Sequence, residues 1–295
     1  WHKRSVAKFG GVAIFLSFIL IVLLFSQPTD FIKLIVILST LIFCVGFIDD
    51  IYDVSPSFKM LLFICIAIIC FNYDIKIMKS FPIFISLPFT ILWITGIVNA
   101  INIIDNMDGL CGGISSIALC FITYIAHIQN NETIFLISLS LLGASLGFLI
   151  FNFSPAKIFM GDSSSLFVGF ILSIIALEVV GNKPNILATL FVPTLILAFP
   201  IFDTSLVSIN RFLNKIPISQ GGIDHTSHRL VSLGLSEKFA VLFLYSISIL
   251  FGLIVIVFNN HGIRTWNLIL LIIFLGFGIS GLFLSYYGNN IKIYI

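Results

Sequence analysis

Apolar runs of roughly 15–20 residues follow one another along the 295-residue chain, separated by short polar breaks. They predict about ten helical spans, near 11–26, 31–48, 60–78, 86–104, 111–129, 133–151, 165–180, 185–203, 238–258 and 266–287. No run alternates apolar and polar positions in the way a transmembrane barrel strand would. The expected fold class is therefore all-α, a polytopic transmembrane helical bundle. Breaks before residue 205 are short, and one longer polar stretch, 206–237, is expected as a loop lying over one end of the bundle. No internal repeat or linker is visible, so residues 1–295 read as one membrane domain.

Composition agrees with the pattern. Hydrophobic residues make up 59% of the chain and charged residues 9%, which excludes an ordinary soluble domain. The net charge of +2 is too small and too dispersed for a nucleic-acid partner. The five cysteines (44, 65, 70, 111 and 120) lie in or beside apolar runs without metal-ligand spacing, and read as small core residues. The chain opens at Trp1 with the basic stretch WHKRSVAK, which reads as the start of a trimmed fragment without a signal peptide.

Charge then sets an orientation. With a cytoplasmic N-terminus, the inside segments hold Lys3, Arg4, Lys8, Lys59, Lys157, Arg211, Lys215, Arg229, Lys238 and Lys292. The outside segments hold Lys33, Lys76, Lys79, Lys183 and Arg264, so the positive-inside rule favours this arrangement. Asp49, Asp50, Asp53, Asp105, Asp108, Asp162, Asp203 and Asp224 then share the cytoplasmic side, a clustering that membrane insertion does not explain.

Four patches carry chemistry on that side. In IVNAINIIDNMDGLCGG (97–113), Asn102, Asp105 and Asp108 recur every three residues, which keeps them on one side of a helix. GFIDDIYDVSPSFK (46–59) ends a helix on paired acids. FNFSPAKIFMGDSSSL (151–166) sets Gly161-Asp162 at a helix start, and DHTSHRL (224–230) lies in the long loop. Each has a plainer reading as a helix stop, an N-cap or a solvated loop. Together they form a carboxylate cluster, and two unit charges 4 Å apart repel by about 4 kcal/mol at an effective dielectric near 20. Hard oxygen ligands with few histidines favour Mg²⁺, or Mn²⁺, over zinc. Magnesium bound partly by substrate phosphates suits phosphoryl transfer, and Lys59, Lys157 and Arg229 could bind the remaining phosphate charge. Tyr73, Trp93 and Trp266 read as interfacial anchors, and Glu178 and His127 as structural residues without evident partners.

In this order, and on these helix ends, the four patches resemble the polyprenyl-phosphate N-acetylhexosamine-1-phosphate transferases. These include the enterobacterial-antigen and teichoic-acid initiating enzymes and, more distantly, the phospho-MurNAc-pentapeptide translocase. The resemblance runs from HKRSVAKFGG (2–11) to SHRLVSLGLS (227–236). It implies attack of a membrane lipid phosphate, such as undecaprenyl phosphate, on the β-phosphate of a UDP-N-acetylhexosamine, with UMP as leaving group and Mg²⁺ required. It implies a bacterial inner (plasma) membrane location with the active site facing the cytoplasm, about eleven spans in the complete protein, and leaves a homodimer open. Carried onto this sequence, Asp49 and Asp50 match paired aspartates that activate or position the lipid phosphate, and Asp162 matches a metal-binding aspartate. Asp105 and Asp108 match acids of nucleotide-sugar binding and catalysis, with Asn102 beside them. Phe159 matches a position packing on uracil, Asn152 one near the nucleoside, and Lys59 the lysine after the paired acids. His225, His228 and Arg229 match a loop contacting the sugar diphosphate.

Two departures stand out. Asn106 occupies the place of the usual glycine between the two acids, and Ser227 replaces a histidine. The loop also lacks the triple histidine of the pentapeptide translocase, which argues against that substrate. The competing readings are a secondary transporter, an inactive paralogue and a CDP-alcohol phosphotransferase. Transporter acids tend to lie near the midplane of repeated halves, and no repeat is visible here. No Ala-Arg follows Asp108-Gly109, as the third reading would require.

Overall fold

The computed structural model describes residues 10–180, 186–217 and 222–259. They form eleven helices: α1 Gly10–Phe25, α2 Asp30–Tyr52, α3 Pro56–Asn72, α4 Ile83–Ile103, α5 Leu110–Ile128 and α6 Glu132–Asn152, then α7 Gly161–Glu178, α8 Ile186–Ile196, α9 Ala198–Leu213, α10 Thr226–Ser232 and α11 Glu237–Asn259. No β-sheet forms among the described residues. Side-chain caps start several of them. Thr29 accepts from the Ile32 amide, Ser55 from Phe58 with Pro56 in the first turn, and Asn131 from Ile134.

Six helices are long and apolar enough to cross a membrane, and the bent α8–α9 pair would make a seventh. The expected spans 11–26 and 60–78 appear as α1 and α3, of 16 and 17 residues. Span 60–78 ends early because Asp74 takes a left-handed φ of 63°. Ile75 and Ile77 then tuck under α4 as an ordered loop, with the Ile77 amide donating to Thr90 Oγ1 and its carbonyl accepting from Ser86 Oγ. The expected span 185–203 breaks at Leu197 into helices 83° apart. Pro200 has no amide hydrogen for the carbonyl one turn back, so the ladder cannot run through this point. The first part of the expected 206–237 loop is the end of α9. Span 266–287 and Trp266 lie outside the described residues.

Helix α7 is the axis of the bundle. Of its best apolar window 83% is buried, against 39% for α2, α4 and α6 and 33% for α11. The outer helices turn Leu16, Leu20, Leu24, Ile37, Phe84, Leu92 and Ile150 outward, the belt expected where the solvent is hydrocarbon. Three of the cysteines expected in the core, Cys44, Cys65 and Cys120, belong to this outer surface, while Cys70 and Cys111 are buried; all are free. Small residues let neighbours approach α7, and three of its serines return their protons to its own turns, Ser164 to Met160 O, Ser165 to Gly161 O and Ser173 to Phe170 O. Trp93, expected as an interfacial anchor, instead donates from Nε1 to Ser173 O at 2.9 Å. At the end away from the acidic loops, Glu178 pairs with Lys79 at 3.2 Å, so it does have a partner.

The α2 and α7 backbones approach closely at Gly46. A Cβ on Gly46 would sit 2.5 Å from Asp162 O and 2.7 Å from Ser163 Cα. Gly46→Val should therefore push α7 off α2 and lower stability by about 2 kcal/mol or more. Gly143→Ala, where a Cβ meets nothing within 4 Å inside α6, should leave thermal unfolding in detergent unchanged or shift it slightly upward.

Candidate active site

The site grows from the joint between the end of α2 and the start of α7. Asp50 caps α7 in trans: its Oδ1 accepts from the Asp162 amide at 2.8 Å and its Oδ2 from Ser163 at 3.0 Å. Gly161 enters the helix at φ 74°, and a Cβ there would lie 2.8 Å from Asp50 Oδ2. Both facts require glycine in Gly161-Asp162. Asp49 accepts from the Val54 amide at 2.6 Å and pairs through Oδ2 with the Lys59 ammonium. Lys59 also reaches Asp162 Oδ2 at 3.1 Å, so one cation bridges two helix ends.

The acidic turn between α4 and α5 forms the second wall. Asn102 donates to Ser165 Oγ at 2.8 Å, tying α4 to α7. Asp108 Oδ2 accepts from the Ala156 amide at 2.9 Å. Asn152 Oδ1 accepts from Gly109 N at 3.0 Å, while its Nδ2 donates to Ile158 O at 2.9 Å. Asn152 thus fastens the α6–α7 loop to the acidic turn. From α11 the Tyr245 hydroxyl donates to Gly109 O, and Lys238 lies 5.6 Å over the Phe153 ring.

A strap around α10 is the third wall. Asp203 of α9, buried at 1% exposure, holds it through two contacts: His225 Nδ1 at 2.8 Å and the Thr226 amide at 2.6 Å. Arg211 meets Asp224 with both Nε and Nη2, at 2.9 and 2.7 Å. Arg229 donates from Nε to Asp224 O at 2.8 Å.

The three walls enclose a cavity of about 570 Å³. Asp50, Asp105, Asp108, Asn152, Phe159 and His228, all singled out by sequence, line it together with Asn106, Met107, Gly161, Ile223 and Glu237. Asp49, Lys59, Asn102 and Asp162 stand behind that lining at the α2–α7 joint. His225 and Arg229 are each 6% exposed and serve the strap's own attachments. Sequence reasoning did not select Asp203, Glu237 or Tyr245 as site residues. Asp203 was visible as one more acid on the same side, whereas Glu237 and Tyr245 sit in an ordinary helix start and an apolar run.

Residues 32–180, which include all the α2-to-α7 site residues, match the family described as glycosyl transferase family 4. Over 287 residues the chain is 38% identical to a Bacillus subtilis (strain 168) protein named "Probable undecaprenyl-phosphate N-acetylglucosaminyl 1-phosphate transferase", covering 93% of this chain and 80% of that one. The chain belongs to glycosyl transferase family 4. This family-4 chain is also 29% identical over 266 residues to a Thermotoga maritima protein named "Undecaprenyl-phosphate alpha-N-acetylglucosaminyl 1-phosphate transferase", with 83% and 81% of the two chains covered. Its identity to the phospho-N-acetylmuramoyl-pentapeptide-transferase of Streptococcus pneumoniae (strain 70585) is 31% over 195 residues, 59% of this chain and 60% of that protein. The family read from the four patches is the one found.

The electrostatics of the family-4 site are lopsided. Four carboxylates line the cavity, from Asp50, Asp105, Asp108 and Glu237, and no Lys or Arg among the described residues joins them. Burial, with the charges of Asp162 and Asp50 behind it, pushes the Asp105 carboxyl up to about 7. Burial and the neighbouring His225 charge lower His228, opposed by Asp203 and Asp224. Burial alone would raise Asp224, but the paired contacts from Arg211 outweigh it and hold that carboxyl below its ordinary value. Among the described residues no three His, Cys, Asp or Glu side chains converge as a preformed metal cage. The donors are hard oxygens and the negative charge is in excess, which fits a cation completed by water and substrate phosphate.

Asp105 titrates well above an unfolded aspartate, near 3.9, so the folded chain binds the extra proton. Its ionisation therefore removes stability as pH rises from about 4 through about 7. Without divalent cation, Asp105→Asn should unfold several degrees above the wild type at pH 8, and the gap should close by pH 4.5. Thermal unfolding at the two pH values measures it.

Proposed function

We propose that this chain transfers an N-acetylhexosamine 1-phosphate, N-acetylglucosamine by default, from its UDP-linked donor to undecaprenyl phosphate at the cytoplasmic face of a bacterial plasma membrane. An oxygen of the lipid phosphate attacks the donor β-phosphorus. The new P–O bond forms as the bond to the bridging oxygen breaks, and UMP leaves with the electron pair. The observation that carries this reading is the carboxylate-lined cavity at one end of an apolar bundle, in a chain similar to proteins named for transfer to undecaprenyl phosphate. Orientation is supported by Lys59, Lys157, Arg211, Lys215, Arg229 and Lys238 at the site end, against Lys33, Lys76 and Lys79 at the other.

The residues divide the work. Phe159 offers a flat apolar face for the base, and Asn152 holds the wall beside it while Asp105 and Asp108 face the diphosphate. His228 offers a hydrogen bond to the sugar-phosphate end. Lys59 attracts the lipid phosphate towards the α2–α7 joint, where Asp49 and Asp50 hold the ammonium and the helix end in place. Asp162 is the side chain that would hold Mg²⁺, with Mn²⁺ as a substitute and the remaining positions left to water and substrate phosphate; when bound, the ion would neutralise diphosphate charge that the carboxylates would otherwise repel.

Purified full-length protein with undecaprenyl phosphate, Mg²⁺ and a panel of UDP-N-acetylhexosamines should release UMP. Chelation by EDTA should stop the release, and Asp162→Asn should lower it about a hundredfold or more, the scale for removing one electrostatic contact at a phosphoryl centre. Donor-dependent transport without cleavage, or no release with any donor from folded protein, would sink the proposal.

A further inference from the structure

Asn106 and Ser227, two positions set apart in the sequence, touch each other. Ser227 Oγ donates to Asn106 Oδ1 at 2.8 Å, across a separation of 121 residues. Asn106 Nδ2 donates to Ile103 O at 3.0 Å, closing the last turn of α4. That bond fixes the amide with its oxygen outward, since the reverse orientation would set oxygen against oxygen. A glycine at 106 could make neither bond. Ser227 is 1% exposed, so its hydroxyl has no water to turn to.

The bond joins the two walls that face the substrate. Asn106 stands between Asp105 and Met107 on the acidic turn, and Ser227 immediately precedes His228; Asp105, Asn106, Met107 and His228 all line the cavity. The other anchors, through Asp203 and through Arg211 to Asp224, tie the strap and its approach to α9. Those anchors run to α9, whereas the Asn106–Ser227 bond runs to the acidic turn itself. We infer that the Asn106–Ser227 hydrogen bond is a positioning clasp, setting the gap between His228 and the Asp105–Asp108 wall in which the sugar-phosphate end of the donor is held. This inference rests on the transferase reading, and it assigns donor positioning to two side chains that do not themselves react.

The test is a double-mutant cycle in the full-length protein with UDP-N-acetylglucosamine and undecaprenyl phosphate. Asn106→Ala and Ser227→Ala should each raise the donor KM about fivefold to tenfold, the scale of one buried hydrogen bond, with a smaller effect on kcat and none on the lipid KM. The double variant should be no worse than Asn106→Ala, which also loses the bond to Ile103 O, and Ser227→Thr, which keeps the hydroxyl, should recover most of the affinity. Hydrogen exchange across 222–232 should accelerate equally in all three alanine variants, although residue 106 lies in another segment. Additive effects in the double variant, equal rises in both KM values, or unchanged exchange in Asn106→Ala would each overturn the clasp. Absence of UMP release by the wild type with every donor would instead overturn the transferase reading and the donor role with it, while the exchange measurement still tells whether the clasp exists.

Discussion

A carboxylate at the end of one membrane helix capping the first turn of another is the contact on which this architecture turns. Helix α7 is almost wholly surrounded by protein, and the unpaired amides of its first turn are met by protein at the cavity edge. Asp50 satisfies two of them from α2. It can do so only because Gly46 lets the α2 and α7 backbones approach and Gly161 leaves room for the carboxylate. That one joint brings Asp49, Lys59 and Asp162 within reach of each other, and the remaining walls are registered against it through Asn102 and Asn152.

Stability and chemistry pull against each other here. Asp50 and Lys59 are well partnered, whereas Asp105 is held against its own ionisation by burial and by its acidic neighbours. The site concentrates charge it cannot neutralise from its own lining. A fold optimised for stability alone would not do this, and the cost marks where function resides.

Much of the helical layout was legible because apolar runs and polar breaks are local signals. What failed did so for reasons of partnership. The end of α3 was misjudged because Ile75 and Ile77 are as apolar as a span, yet bury themselves as a loop under Thr90 and Ser86. The break at Leu197 had its prolines in plain view, but an 83° turn depends on what α9 packs against. Cys44, Cys65 and Cys120 look like core residues because hydrocarbon reverses the usual link between apolar character and burial. The acids of the site could be grouped by side of the membrane, and their family pattern named the chemistry. Which of them faces the cavity and which supports it could not be read, because Asp203 and Asp50 find their partners 22 and 112 residues away.

Those separations also bear on how the protein comes into being. The joint between Asp50 and the Asp162 amide of α7 spans 112 residues, the Ser227–Asn106 contact 121, and the Tyr245–Gly109 contact 136. During synthesis the early helices enter the bilayer long before these partners emerge from the ribosome. Until α10 and α11 arrive, Gly109 O and Asn106 Oδ1 have water in place of the Tyr245 and Ser227 hydroxyls. A nascent chain halted after α7 would already hold its central helix and most of its carboxylates, yet have no third wall. Maturation of the cavity is thus a late event, timed by the last helices to be inserted rather than by the segment that carries the acids.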